Sequence, residues 1–254
     1  MILESFRLDG KNALVTGSSR GLGAAIALAL AEAGANVGLH GKSAGGDKLG
    51  DHIRGLGRRC FYHSGDVADP GVCSDLITHT VDEFGSVDIL VNNAGMIRRA
   101  PAEEYPLADW DTLISVHLSA VFRLSQLAGQ HMIKRGAGGK IVNMGSLLSF
   151  QGGILVPAYS AAKGGVAILT KALANEWAAK GINVNAIAPG YMATDNTEAL
   201  RNDPVRSRQL LDRIPAGRWG QPSDVAGAAV FLCSSASDYV HGHVLVVDGG
   251  WLGR

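Results

Sequence analysis

Ser146, Tyr159 and Lys163 are the residues whose types and spacing could move a proton at an alcohol oxygen. Tyr159 and Lys163 stand four apart in the helix-like run AYSAAKGG, hence on one helix face. Ser146 ends the apolar run before it, in NMGSLLS. A free tyrosine ionises near pH ~10, too high for a base at neutral pH, and an adjacent ammonium lowers that value by stabilising the phenolate. The spacing predicts Tyr159 as general acid/base, Lys163 as its electrostatic partner and Ser146 as the hydrogen-bonding group on the substrate oxygen. A Tyr–Lys pair at helical spacing is more often plain amphipathic surface, so the set gains meaning only from the rest of the chain.

Oxidising or reducing an alcohol carbon also needs a two-electron partner, and the N-terminal region offers a place for one. Thr16–Gly23 reads TGSSRGLG, directly after the strand-like run NALVT and opening an Ala/Leu-rich helix. Gly17 and Gly21 allow a sharp turn around Ser19 and Arg20, Leu22 follows, and Gly23 allows close packing of helix on strand. A helix N-terminus after such a turn presents unpaired N–H groups and a favourable dipole to a pyrophosphate. The spacing is GxxxGxG rather than GxGxxG, and the alternative is an ordinary glycine-rich turn. At the end of the second strand candidate, where NAD enzymes usually carry Asp or Glu for the ribose 2′-hydroxyl, the run VGLHGKSA has Gly41 between His40 and Lys42. A missing carboxylate beside Lys42, Arg20, His40 and Ser19 favours NADP(H), with NAD(H) possible; solvated surface cations are the plainer alternative.

The elements that must position these groups alternate along the whole chain. Asn12–Thr16, Asn36–Leu39, Cys60–His63, Val87–Asn92, Lys140–Met144, Ile182–Ile187 and Val244–Val247 read as strands. Helix-periodic segments lie at Ala44–Leu56, Pro70–Phe84, Leu107–Lys134, Ala158–Lys180 and Pro222–Ser234, besides the helix that ends at Gly34. This alternation predicts an α/β, doubly wound, Rossmann-type fold: a parallel sheet with helices on both faces, in a single domain over 1–254. Ser146 and Tyr159 then converge at the carboxyl edge of the sheet, where such folds bind ligands. The polar stretch at about 190–215 breaks the rhythm and reads as a lid over the substrate.

Composition closes off other classes. Lys plus Arg equals Asp plus Glu at 23 each, which argues against a nucleic-acid binder. Hydrophobic residues make up 46% and charged residues 18%, so a large core is available and global disorder is excluded. Cys60, Cys73 and Cys233 lack metal or disulfide spacing and read as reduced thiols. The longest apolar stretch, Ala24–Ala31, stops at Glu32, and the first ten residues are unlike a signal peptide. The expectation is a soluble, cytoplasmic protein with no membrane association and no metal.

These residues together resemble the short-chain dehydrogenase/reductase family, over the whole chain: TGSSRGLG, NNAG at Asn92–Gly95, Ser146, Tyr159, Lys163 and the PG of Pro189–Gly190 all match. The resemblance implies a seven-stranded parallel sheet, a homotetramer and chemistry without a metal. It implies that Asp66 and Val67 flank the adenine and that Asn93, Ala94 and Gly95 line the cofactor cleft. Pro189, Gly190, Met192 and Thr194 would meet the nicotinamide side, and Tyr159 and Lys163 its ribose. One departure stands out. The family usually has a fourth catalytic residue, an Asn in a run like VNL, and here SVHLSAVF puts His117 in that place. His117 either relays protons, with a charge that depends on pH, or simply packs in its helix.

Further runs at 94–100, 146–163, 175–194, 213–219 and 248–254 are similar to sugar-acid dehydrogenases of that family. A sugar acid needs a cation for its carboxylate and partners for its hydroxyls. Arg98 and Arg99, just past NNAG, are the candidates for the first, and Gln151, Tyr191 and Asn196 for the second, with Ser146 and Tyr159 at the reacting oxygen. Trp219 and Trp251 read as core or interface aromatics. Two alternatives remain at this level: a 3-oxoacyl-carrier-protein reductase, and a non-catalytic NADP-binding protein of the same fold.

Overall fold

Short apolar runs without period-two alternation form strands covered on both sides, as the central strands are here, while the two edge strands are only partly covered. In a computed structural model that describes residues 1–254 except the Asp47 side chain, the strands are β1 (Asn12–Val15), β2 (Asn36–Gly41), β3 (Cys60–Ser64), β4 (Ile89–Asn92), β5 (Gly139–Met144), β6 (Ile182–Pro189) and β7 (Val244–Val247). They make one parallel sheet in the order β3-β2-β1-β4-β5-β6-β7.

Successive strand residues point to opposite faces, and the two cores divide accordingly. Ala13, Val15, Val37, Leu39, Ile89 and Val91 pack with α1 (Gly21–Glu32) and α9 (Pro222–Cys233), and Ile53 of α2 (Asp47–Gly55) joins them. Leu14, Leu90 and Ile141 pack on the other face with α3 (Pro70–Phe84), α5 (Ala120–Arg135) and α6 (Pro157–Trp177). The helix signals in the sequence act as expected. Asp69 caps α3 by accepting from the Gly71 N–H at 2.8 Å, Pro70 opens that helix, and Gly85 closes it at φ 89°.

Two segments differ from the sequence expectation. The helix expected over 107–134 is interrupted: α4 (Leu107–Ile114) passes through a π-helical turn at Ser115–Ser119 before α5 begins. A π turn inserts one extra residue into the hydrogen-bond ladder, and it leaves no mark in the hydrophobic period. The stretch 190–215 is folded, with a 3-10 turn at Asp195–Thr197 followed by α7 (Glu198–Asn202) and α8 (Pro204–Leu211). No helix among the described residues is long and apolar enough to cross a membrane.

Candidate active site

The order of the sheet reverses between β1 and β4, and the carboxyl ends of β1 to β6 open there into one cleft of about 700 Å³. That is the crevice in which doubly wound sheets bind their ligands. Every site residue expected from the sequence lines this cleft except Arg98.

At one end lies the glycine-rich turn. Arg20 caps α1 with extended backbone and no side-chain hydrogen bond, so the first N–H groups of the helix keep their capacity for an anion. A Cβ at Gly17 would come within 2.7 Å of the Ala94 Cα, and one at Gly23 within 2.2 Å of the Gly17 carbonyl oxygen. Asn93 holds the turn from below, donating from Nδ2 to the Thr16 and Gly17 carbonyls at 2.9 Å each. The Thr16 hydroxyl accepts from the Asn93 and Ala94 N–H groups at 3.0 Å.

The end of β2 corrects one expectation. His40 offers no free nitrogen to a phosphate: Nδ1 accepts from the Gly17 N–H at 3.1 Å and Nε2 faces the Gly65 carbonyl at 3.0 Å. With Nδ1 accepting, the proton sits on Nε2, and burial holds His40 below the usual histidine range. It is a neutral brace between the turn and the end of β3. Lys42 and Arg20 do face the cleft, each beside an acid: Lys42 lies 2.6 Å from Asp66 and Arg20 lies 3.1 Å from Asp195. Both pairs are exposed, hence weakly held and open to exchange for a stronger anion.

The catalytic candidates meet across the cleft from that turn. Ser146 ends β5 and caps a short 3-10 turn, its hydroxyl accepting from the Leu148 N–H at 3.2 Å. The Ser149 hydroxyl accepts from the Ser146 N–H at 3.2 Å and donates to the Lys163 carbonyl at 2.9 Å, which ties this turn to α6. Lys163 is buried, and its Nζ donates to the Met144 carbonyl at 2.5 Å. Burial pushes Lys163 down to about 8. Tyr159 departs from the simple expectation: burial pushes its phenol up, opposed by the Ser146 hydroxyl and by the charge of Arg99. The Lys163 ammonium stands over the Tyr159 ring, 5.5 Å from its centre, and one of its three N–H donors goes to a backbone carbonyl.

His117 comes from the π turn and is buried. Its Nε2 stands 2.7 Å from the Met96 carbonyl oxygen and 3.1 Å from the Met96 nitrogen, so it serves one of the two. Its Nδ1 has no partner among the described residues. Burial first, then the Lys163 charge, push it down to about 3. Burial thus favours the neutral imidazole at this position. Gly95 must stay small for it, since a Cβ there would lie 2.3 Å from the His117 ring.

At the far end the Arg98 expectation fails. Arg98 turns from the cleft and pairs with Asp109 in the first turn of α4 at 2.8 Å, a place where a helix welcomes an acid. Arg99 does line the cleft, and its Nη2 donates to the Asn196 carbonyl at 3.4 Å. Gln151 accepts from Trp251 Nε1 at 3.4 Å, and Tyr191 packs on Trp251 with centroids 4.7 Å apart. Arg206, Gln209 and Arg213 also line this end and were not anticipated; Arg206 and Gln209 stand three apart on α8, and Arg213 follows in the turn after it. The Arg213 guanidinium lies 3.9 Å from the centre of the Trp251 ring. Of the four arginines around the cleft only Arg20 has a carboxylate partner among the described residues.

A parallel sheet in this order, a phosphate-cradling turn at its switch point and a Ser–Tyr–Lys set opposite define an oxidoreductase acting on CH–OH groups. The chain belongs to the short-chain dehydrogenase/reductase family. Residues 17–252 match the family model described as enoyl-(acyl carrier protein) reductase. The chain is 52% identical over 255 residues to the 2-dehydro-3-deoxy-D-gluconate 5-dehydrogenase of Escherichia coli strain K12, covering 100% of both. Among solved structures it is similar to a protein of Agrobacterium tumefaciens assigned as a 2-deoxy-D-gluconate 3-dehydrogenase with bound NADP, at 55% identity and TM-score 0.93, covering 98% of this chain and 99% of that one. It is also similar to a gluconate 5-dehydrogenase of Burkholderia cenocepacia in complex with NADP and tartrate, at 41% identity and TM-score 0.94, covering 100% of both.

Proposed function

We propose that this protein interconverts a secondary alcohol and a ketone on a sugar acid of the 2-dehydro-3-deoxygluconate, deoxygluconate or gluconate type, with NADP(H) favoured over NAD(H). The observation that carries the substrate class is the set of arginines without carboxylate partners among the described residues, Arg99, Arg206 and Arg213, in the cleft. A small anion with hydroxyl groups suits that wall, and the names of the relatives above point the same way. An acyl chain laid there would have to desolvate guanidinium groups, so the carrier-protein reductase reading fits less well.

The residues present fit a nicotinamide dinucleotide phosphate. The glycines leave a cradle that a Cβ would fill, the α1 N-terminus lacks a side-chain cap, and Ser19, Arg20 and Lys42 line the adjoining wall. The turn at Gly17–Gly23 would hold the pyrophosphate, with Asp66 and Val67 beside the adenine and Asn93–Gly95 beneath. Tyr159 and Lys163 would hold the nicotinamide ribose, and Pro189, Gly190, Met192 and Thr194 its carboxamide side. When bound, the cofactor supplies or accepts the electron pair at the substrate carbon.

The chain's own groups handle the proton. Ser146 holds the reacting oxygen by hydrogen bond, and Tyr159 gives its phenolic proton to that oxygen or takes one from it. Burial keeps the phenol protonated near neutral pH, which suits the donor role. Lys163 stands over the Tyr159 ring and His117 meets it edge-on, so a neutral His117 would position the phenol rather than carry its proton. The segment 190–215 acts as a lid of this single domain; Arg20 to Asp195 and Arg99 to Asn196 are the links that join it to the opposite walls.

A homotetramer in the cytoplasm completes the reading. Exposed Trp110, Phe122 and Ile168 on α4, α5 and α6 are apolar side chains that subunit contacts would cover. The thiols Cys60, Cys73 and Cys233 are unpaired and pushed up by burial, as suits a reducing compartment. The test is a kinetic screen of sugar acids and acyl thioesters with both nicotinamides. Highest kcat/KM on a sugar acid with the phosphorylated cofactor is expected, and turnover confined to thioesters overturns the reading.

A further inference from the structure

Gly41 ends β2 beside the adenosine end of the cleft, and its glycine is there for space rather than for backbone conformation. Its φ lies outside the left-handed region, so any residue could take that backbone. A Cβ at position 41 would nevertheless lie 2.2 Å from the Tyr62 hydroxyl oxygen and 3.3 Å from Tyr62 Cζ. The register explains this contact. Leu39 pairs with Tyr62 across β2 and β3, and residues two apart in a strand share a face. The Tyr62 ring therefore reaches diagonally to Gly41.

Tyr62 has little room to give way. Its hydroxyl donates to the Ser43 carbonyl at 2.6 Å, and its ring lies against Gly46, where a Cβ would come within 2.3 Å of Cδ2. Two glycines of one loop thus close around the same ring. We propose that Tyr62 is a specificity-determining residue for the cofactor. By filling the side-chain space of position 41 it excludes the carboxylate that would bond a ribose 2′-hydroxyl. The adjoining wall is left to Ser19, Arg20 and Lys42, which suit a ribose 2′-phosphate. This rests on the NADP(H) reading above and says what keeps the site of that kind: the occupant comes from β3, outside the residues that touch the cofactor's ribose.

Direct binding of NADPH and NADH to the purified protein tests it, by calorimetric titration of the parent, Gly41→Asp, Tyr62→Phe and the double variant. Tyr62→Phe removes the atom at 2.2 Å and leaves the ring. Gly41→Asp alone should weaken NADPH without tightening NADH, and adding Tyr62→Phe should tighten NADH roughly ten-fold over Gly41→Asp. NADH binding to Gly41→Asp as tight as to the double variant overturns the proposal. A second readout avoids the carboxylate: Gly41→Ala should lower the melting temperature, and Tyr62→Phe in that background should recover much of the loss. Strictly additive melting changes overturn the exclusion even if Gly41→Asp does not fold. A parent that binds both nicotinamides equally would instead refute the cofactor reading, while the alanine pair still decides whether Tyr62 excludes a side chain.

Discussion

The imidazole of His117 meets the Tyr159 ring edge-on, with centroids 5.0 Å apart and planes at 83°. Burial and the nearby Lys163 ammonium push this histidine down to about 3, which favours the neutral imidazole near neutral pH. Its folded pKa lies below the unfolded value of ~6.5, so the unfolded chain takes up a proton that the folded chain refuses. Stability is therefore complete above pH ~6.5 and is lost as pH falls below it, by at most about 2 kcal/mol at pH 5. His40, also held low by burial, acts in the same sense. His117→Asn should flatten the acid dependence measured by urea unfolding at pH 7.5 and 5, and should leave the acid limb of kcat/KM where it is. Equal slopes in parent and variant would count against a buried neutral His117.

Tyr159→Phe removes the one transferable proton at the reacting oxygen and little else. General acid–base groups contribute typically 10²–10⁴-fold, so kcat should fall by about that factor. Dissociation constants for NADPH should change by only about a few-fold, because the phenol is one ribose contact among several and the glycine turn and Lys163 are untouched. Stopped-flow turnover beside equilibrium titration separates these effects. Near-parental kcat in the variant would remove Tyr159 from the mechanism.

The central strands were legible because they are buried on both sides: Asn12–Val15, Ile89–Asn92 and Ile182–Pro189 carry no alternation that a surface strand would show. Ser146, Tyr159 and Lys163 were legible because strand end and helix start fall at known offsets, and the cleft brings them together. What sequence could not reveal is direction and contact. Arg98 and Arg99 are adjacent and identical in type, yet only the second turns inward, a choice settled by Asp109 on a neighbouring helix. The π turn that aims His117 inward, and the pairing that sets Tyr62 against Gly41, are likewise non-local.

Lys42 and Arg20 each stand beside an acid and face water, so neither contributes the full strength of a buried charge pair. A 2′-phosphate must displace Asp66 and Asp195 from them, which discounts the gain. Lys42→Ala should raise the NADPH dissociation constant by about ten-fold, near 1.4 kcal/mol, and leave NADH within about two-fold. Raising salt should narrow the difference between parent and variant, because the contact is exposed. Equal losses for both nicotinamides would assign Lys42 to the fold instead.

Arg213 is the strongest candidate for the substrate carboxylate. Its guanidinium lies 3.9 Å over Trp251, and Trp251 is buried, bonds Gln151 and packs on Tyr191, so the indole is a fixed platform. A guanidinium stacked in this way keeps its planar edge of N–H donors for a bidentate carboxylate. Arg99 approaches from the other wall and already acts on Tyr159 through its charge, so it can read the acid and assist the proton transfer together. Arg213→Ala should raise KM for a sugar acid by about ten-fold or more, a loss of ~1.5–3 kcal/mol, with little change for an uncharged polyol analogue. Arg99→Ala should raise KM for the acid and also lower kcat for both substrates, because the charge near Tyr159 is lost. Arg98→Ala should do neither, since Arg98 is spent on Asp109 outside the cleft. If Arg213→Ala weakens acid and polyol alike, the residue is supporting Trp251 rather than reading a carboxylate. Arg213→Lys sharpens that distinction: a lysine keeps the charge but loses the planar stack, so partial recovery for the acid alone marks charge pairing, and recovery for neither marks packing.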